Sequence, residues 1–147
     1  MFKSLRSSNS ADAKLKAISL SQAVIEFNPD GTIVDANENF LKLMGYELSQ
    51  VVGQHHRMFV DPDEAKTDEY RDFWRSLREG VFLSEEFRRI TKDGKSVWIQ
   101  ASYNSIKDKD GNVTGIIKVA TDISERKRKT SIDAGTLMAI NEAQAVI

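Results

Sequence analysis

The sequence predicts an α+β domain built on a five-stranded antiparallel sheet, with short helices and one longer helix on one side of it. Three observations carry this. Two Asp-Gly turns, at Asp93-Gly94 and Asp110-Gly111, separate three runs rich in alternating and β-branched residues. Asp-Gly between such runs is a strong short-range hairpin signal. Upstream, two short apolar runs flank Asn28-Pro29-Asp30-Gly31, where proline presets φ and glycine lets the chain leave the turn. Between these groups lies one amphipathic stretch, with Tyr70, Phe73, Trp74 and Leu77 at i, i+3, i+4 and i+7.

Each element follows in order. Residues 24–27 form a strand with a single charge, Glu26, and residues 32–35 its hairpin partner. Asn37 caps a short helix bearing Phe40, Leu41 and Met44, which Gly45 terminates. Residues 48–58 read as irregular or short-helical, broken at Gly53. The longer helix opens on Asp68 and Glu69, where the helix dipole favours anions. It turns Arg71, Asp72, Arg75, Arg78 and Glu79 outward and ends at Gly80. Residues 82–90 form the third strand. In the fourth, Val97, Ile99, Ala101 and Tyr103 alternate with Trp98, Gln100, Ser102 and Asn104, and residues 113–121 form the fifth. Past Asp122 the chain is highly charged, with Ser124 expected to cap a partly helical segment.

With 147 residues, 40% hydrophobic and 29% charged, the chain has the make-up of one globular domain with tails. Its formal net charge of −1 lacks the basic excess of a nucleic-acid or membrane-surface binder. The absence of cysteine removes disulfides, thiolate zinc sites, iron–sulfur clusters and a cysteine nucleophile. No apolar run approaches the roughly 18–20 residues of a membrane span. The N-terminus has no secretory h-region, so a cytoplasmic location is expected. GxGxxG, the P-loop pattern and HExxH are missing, and no nucleophile stands with a base. An enzyme is therefore not expected.

The end of the chain repeats its beginning. LKAISLSQAVI at 15–25 and LMAINEAQAVI at 137–147 agree at seven of eleven positions, at an offset of 122. A domain-sized period means tandem domains and not a solenoid. The expected organisation is an N-terminal tail or helix at 1–14, the domain itself at 15–124 and a charged linker at 125–136. Residues 137–147 are then the truncated start of a second copy in a longer protein.

The stretches NPDGTIVDANENFLKLMGY, KDGKSVWIQ and ATDISERK, in this order and spacing, resemble a PAS domain running from Ala17 to Lys127. GQHHRMFVDPDEA, EYRDFWRSLREG and the doubled QAVI start are similar to sensors of bacterial methyl-accepting chemotaxis receptors with tandem PAS domains, including the aerotaxis transducers. The resemblance implies sensing and not catalysis. It implies a small cavity between sheet and helices that holds flavin, heme, a metabolite or nothing. A change there passes through the sheet to the flanking helices. Asp122 and Ser124 match the Asp-x-Thr/Ser exit motif, a polar pair able to fix the angle at which the next helix leaves.

The resemblance also singles out side chains. Trp74 matches a tryptophan of flavin-binding, aerotaxis-type domains. An indole stacked on an isoalloxazine is one reading, and core packing on an apolar stripe is the other. His55 and His56 are the only histidines. His56 matches a histidine near the flavin in such domains, and either residue could ligate heme from a short helical segment. The plainer reading is one buried, satisfied histidine and one exposed. A zinc site from His55, His56, Asp61 and Asp63 is set aside, because adjacent histidines diverge and no third histidine or cysteine exists. Asn37, Asn39 and Asn104 could read the polar edge of a flavin or metabolite, although Asn37 is better placed as a cap. The face carrying Asn104 is open between solvent, a dimer surface and the cavity. Two places depart from the aerotaxis pattern: Phe82 and Leu83 replace a Pro-Trp pair, and Arg89 stands where an amide is usual. FAD is the cofactor the resemblance implies, with heme or no cofactor as alternatives, and no metal.

The functional expectation is a chemotaxis-receptor module that detects redox state, oxygen or a small ligand. It would signal to a downstream receptor domain and through that to a histidine kinase. The alternative is a cofactor-free PAS module for dimerisation and relay. An amphipathic N-terminal piece with Leu5, Leu15 and Ile18 would supply a homodimer contact. No nucleic-acid or membrane contact is expected from this segment.

Overall fold

The structure, a computed structural model, describes residues 9–130. The expected second copy at 137–147, Leu5, and residues 131–136 of the charged linker lie outside the described residues. Helix α1 (Asn9–Ser21) leads into β1 (Ala23–Phe27) and β2 (Ile33–Ala36). Next come α2 (Glu38–Met44), α3 (Leu48–Val51), a 3-10 turn (His56–Phe59), α4 (Pro62–Ala65) and α5 (Asp68–Arg78). The strands β3 (Leu83–Ile90), β4 (Ser96–Lys107) and β5 (Val113–Asp122) complete the sheet. Residues 124–130 are helical, here α6. All strand pairs are antiparallel in the order β2-β1-β5-β4-β3, so the expected five-stranded fold is the one observed.

Local chemistry sets the element ends. The Asn37 side chain accepts the Phe40 N–H, and Gly45 closes α2 at φ +81°. Thr67 caps α5 by accepting the Tyr70 N–H. Some boundaries differ from the sequence reading. α1 runs across the expected junction at 14/15. Thr32 falls outside β2: its carbonyl still accepts the Asn28 N–H across the turn, and it forms a bridge to His55. Phe82 stays outside β3 and is 63% exposed.

Ser124 does not cap α6. It is the first helical residue, and Ile123 supplies the first helical carbonyl, to the Lys127 N–H. Asp122 caps instead, accepting the Ser124 N–H at 2.9 Å. The Ser124 hydroxyl oxygen turns back to the sheet and accepts the Trp98 N–H at 2.9 Å.

The two-residue period of the strands separates the faces. Ala23, Ile25, Phe27, Ile99, Ala101, Tyr103, Ile116 and Ala120 form the inner face, covered by Phe40, Met44, Phe59, Trp74 and Leu77 from the helical segment. Phe73 meets Tyr103 edge-on at 4.9 Å between ring centres, and Phe27 meets Trp74 at 5.4 Å. Trp98, Gln100, Ser102 and Asn104 therefore lie on the outer face.

Candidate functional site

The site grows from Tyr103 on β4 and its cross-strand neighbour Lys118 on β5, both pointing inward and both buried. Arg89 reaches them from β3. The 3-10 turn drops His56 onto the same spot, fully buried. Four polar side chains thus meet on the apolar inner face.

Their hydrogen bonds form a chain. Arg89 Nη2 donates to the Tyr103 hydroxyl oxygen at 3.3 Å. The Tyr103 hydroxyl lies 3.0 Å from His56 Nε2, and His56 Nδ1 lies 2.7 Å from the Tyr70 hydroxyl. With Tyr103 accepting from Arg89, its own proton goes to Nε2, and Nδ1–H donates to Tyr70. Lys118 Nζ sits 5.2 Å from the Tyr103 ring centre and 5.7 Å from that of Phe40, a cation–π arrangement.

Burial dominates the electrostatics. It holds His56 well below the usual imidazole range, with Arg89 and Lys118 adding repulsion. It also drives Lys118 well below the usual ammonium value, again assisted by Arg89. Burial pushes the Tyr70 phenol up to about 12.

The other expected residues are placed as follows. His55 stands apart, half-buried beside the turn that precedes β2. Its Nδ1 accepts the Arg57 N–H, so Nε2 carries the proton and donates to the Asp30 carbonyl at 2.8 Å. Gly31 makes this possible: at φ +93°, any Cβ there would come within 2.5 Å of His55 Nε2. Asn37 is wholly engaged in structure. Its oxygen accepts from Val24 and Phe40, and its amide donates to the Ser19 and Gln22 carbonyls. Asn39 also donates to the Ser19 carbonyl. Asn104 lies on the face of the sheet opposite His56, bonded to Ser102 and the Ile117 carbonyl. Odd and even residues of a strand point to opposite faces, so Tyr103 takes the inward place. Trp74 lies beside His56 at 5.3 Å, edge-on, and its indole N–H is buried without a hydrogen-bond partner. It is nonetheless close enough to Tyr70 to favour the phenolate.

These residues do not fit a flavin or a heme as they are packed. Trp74 is buried and packs edge-on with Phe27, His56 and Phe73, as a core aromatic does. No amide reaches the inner polar centre, since Asn37 is spent and Asn104 is outside. Both nitrogens of His56 and both of His55 are already bonded. Among the described residues there is no cluster of three or more His, Cys, Asp or Glu side chains that could hold a metal.

The second feature is the exit. Besides the Ser124 bond, the Ile123 N–H donates to the Trp98 carbonyl at 2.8 Å. Arg126 pairs with Glu86 of β3 at 2.9 Å, and Lys127 lies over the Trp98 ring. Helix α6 is thereby fastened to β3 and β4. Sequence reasoning found Asp122 and Ser124 here, but missed Trp98 and Glu86. At the centre it missed Lys118, Tyr103 and Tyr70. Lys118 had one available signal: it shares its strand parity with the inward Ile116 and Ala120.

Comparison with known proteins agrees with this architecture. A family described as the PAS fold matches residues 33–120, more than half of the chain. The chain belongs to the PAS family, whose domains serve as sensory and signal-relay modules. The biofilm dispersion protein BdlA of Pseudomonas aeruginosa is 40% identical over 122 residues, which cover 83% of this chain and 29% of that protein. The aerotaxis receptor of Escherichia coli is 29% identical over 60% of this chain and 17% of its own length. A light-oxygen-voltage domain, solved in a study of a flavin analogue, superposes with a TM-score of 0.67 at 26% identity. The match covers 90% of this chain and 98% of that one. The chain spans under a third of the length of these curated relatives. No helix among the described residues is long and apolar enough to cross a membrane.

Proposed function

We propose that this chain is the sensing module of a bacterial chemotaxis-type receptor. A small ligand acts on the inner face of β4 and β5, and the sheet passes the change to α6. From there it reaches a downstream signalling domain and, through it, a histidine kinase. One observation carries the reading: β4 serves both ends of the relay. Its Tyr103 belongs to the buried polar chain, and its Trp98 backbone holds the exit helix through Ser124 and Ile123. A strand in that position converts an altered hydrogen bond on one face into an altered helix anchor. The similarity to BdlA and to an aerotaxis receptor supports the chemotaxis setting. The repeat at 137–147 supports a tandem PAS arrangement. Asp122 and Ser124 are the relay residues in this reading.

The test is hydrogen exchange at the amides of 124–130 in the wild type and in Tyr103→Phe, which removes only the hydroxyl. Altered exchange across α6 is expected. Identical protection in the two proteins would refute the relay through β4.

The second reading is a cofactor-free module for dimerisation and relay, favoured by the closely packed aromatic interior. Helix α1 leaves Leu20 85% and Ile18 45% exposed, an apolar edge suited to a second copy. Sedimentation is expected to show a weak homodimer that Leu20→Glu disperses. A visible spectrum of the freshly purified protein separates FAD or heme from neither. Flavin bands or a Soret band would mean that the interior opens to admit the cofactor.

A further inference from the structure

Three buried basic side chains meet in the interior without an acid. His56, Arg89 and Lys118 are each at most 2% exposed. Among the described residues neither Arg89 nor Lys118 is paired with a carboxylate, because the ion pairs all lie elsewhere. Among the described residues the one carboxylate whose field reaches Tyr103 is Glu64, exposed on α4. A buried charge without a partner is strongly destabilising. Lysine and histidine escape by losing a proton, and arginine has no such route. Arg89 Nε is also buried without any hydrogen-bond partner. Its guanidinium donates to the Arg88 carbonyl at 3.0 Å and the Tyr103 hydroxyl at 3.3 Å and lies over the Phe87 ring at 4.7 Å, with no anion among its partners.

A surface groove next to this interior carries the same sign. The groove, of about 320 Å³, runs between the 28–31 turn, the His55 loop and α5. Arg57, Lys66, Arg71 and Arg78 line it against the single acid Asp30. Tyr70 and Trp74 also line it, and both rings pack against His56, at 5.8 and 5.3 Å between ring centres. A basic rim raises the local concentration of anions.

From this geometry we infer that the interior site takes a small organic carboxylate, bound by Arg89 and Lys118 with the Tyr103 and His56 groups at its edge. The inference rests on the sensing role proposed above and supplies its ligand class. A guanidinium together with a buried lysine amine that takes up a proton as the anion arrives suits a carboxylate, which uses the Arg fork for two parallel bonds. The apolar remainder of such a ligand meets Phe40, Phe73 and Phe87. Swinging the Arg89 fork from Tyr103 onto the ligand frees the Tyr103 hydroxyl, which is the change that β4 would relay.

The experiment uses the whole chain, with acetate, succinate and benzoate as probes, each against its amide at matched ionic strength. At least one carboxylate is expected to raise the melting temperature saturably by several degrees, while its amide does not. Calorimetric affinity for that carboxylate should fall at least about tenfold in Lys118→Met and in Arg89→Leu. Lys118→Met should also melt higher than the wild type when no ligand is added, a signature that loss of folding cannot imitate. No saturable binding by any of the three carboxylates, equal binding of carboxylate and amide, or unchanged affinity in Lys118→Met would each overturn the inference. Exchange at 124–130 keeps the two ideas apart. If no carboxylate binds but Tyr103→Phe still alters that exchange, the relay stands without this ligand class. If a carboxylate binds and α6 does not respond, the ligand class stands without the relay.

Discussion

Two asparagines show how differently the same side chain behaves at two addresses. Asn37 is buried and makes four hydrogen bonds that tie α1, β1 and α2 together. Asn37→Ala removes a helix cap and leaves the buried Val24 N–H without its side-chain acceptor. The expected loss is about 2–4 kcal/mol, read from urea melts. Asn104→Ala, on the outer face, should cost less than about 1 kcal/mol. Equal losses would mean that Asn37 has other partners in solution. The capping role of Asn37 was legible because an extended asparagine ahead of an apolar helical run has few other uses. The placement of Asn104 was not legible, because both parities of its strand carry side chains that tolerate burial. Only the pairing of Tyr103 with Lys118 and Leu83 fixes which parity faces the helices. Lys118 escaped for the same reason: a lysine in a β-branched run reads as the solvent side until the register is known.

At the scale of elements, turns and exits carry the testable geometry. Gly31 and Gly53 both have positive φ, at +93° and +84°, but only Gly31 is crowded, by His55 and Trp74. Gly53→Ala should therefore cost only the backbone strain, about 1–2 kcal/mol. Gly31→Ala should cost about 3 kcal/mol in all and break the His55–Asp30 bond, seen as a changed His55 imidazole resonance. Similar losses at the two positions would remove the case for a tight 28–31 turn against α5. At the other end, Ser124→Ala takes the acceptor from the Trp98 N–H. A modest global loss of about 1 kcal/mol is expected, with faster exchange confined to 124–130. Uniformly faster exchange would place Ser124 in the general scaffold and not at a joint. The sequence spelled out these turns well, since Pro-Asp-Gly and Asp-Gly have few alternatives. It did not reveal that α6 is anchored through the Trp98 backbone, because a main-chain partner leaves no mark on residue identity.

For the molecule as a whole, the periodicities of strands and of α5 suffice to specify a sheet covered on one side, and that much of the fold was readable in advance. The buried charge was not, yet it sets how stability depends on pH. Protonated His56 is disfavoured by burial, Arg89 and Lys118, and His55 is lowered by burial and Arg57. Both have folded values below the unfolded 6.5, so the unfolded chain binds more protons in that window and stability falls as pH drops below about 6.5. Lys118 has the same sign higher up: its folded value lies well below 10.5, so stability keeps rising with pH until the unfolded lysine also discharges. Tyr70, raised to about 12, and Tyr103, also raised, act the other way above about pH 10, where only the unfolded phenols ionise. Denaturant melts from pH 5 to 11 should trace a climb through the acid range, a further climb above neutrality and a fall beyond about pH 10. Lys118→Met should abolish the middle climb and soften the acid limb, because Lys118 adds to the repulsion on protonated His56, while His56→Phe should flatten part of the acid limb and leave the middle climb. A wild-type profile that is level between neutrality and pH 10 would show that Lys118 keeps its proton inside the fold. It would then need an anion already beside it, which the same melts would reveal as a loss of stability after exhaustive dialysis against carboxylate-free buffer.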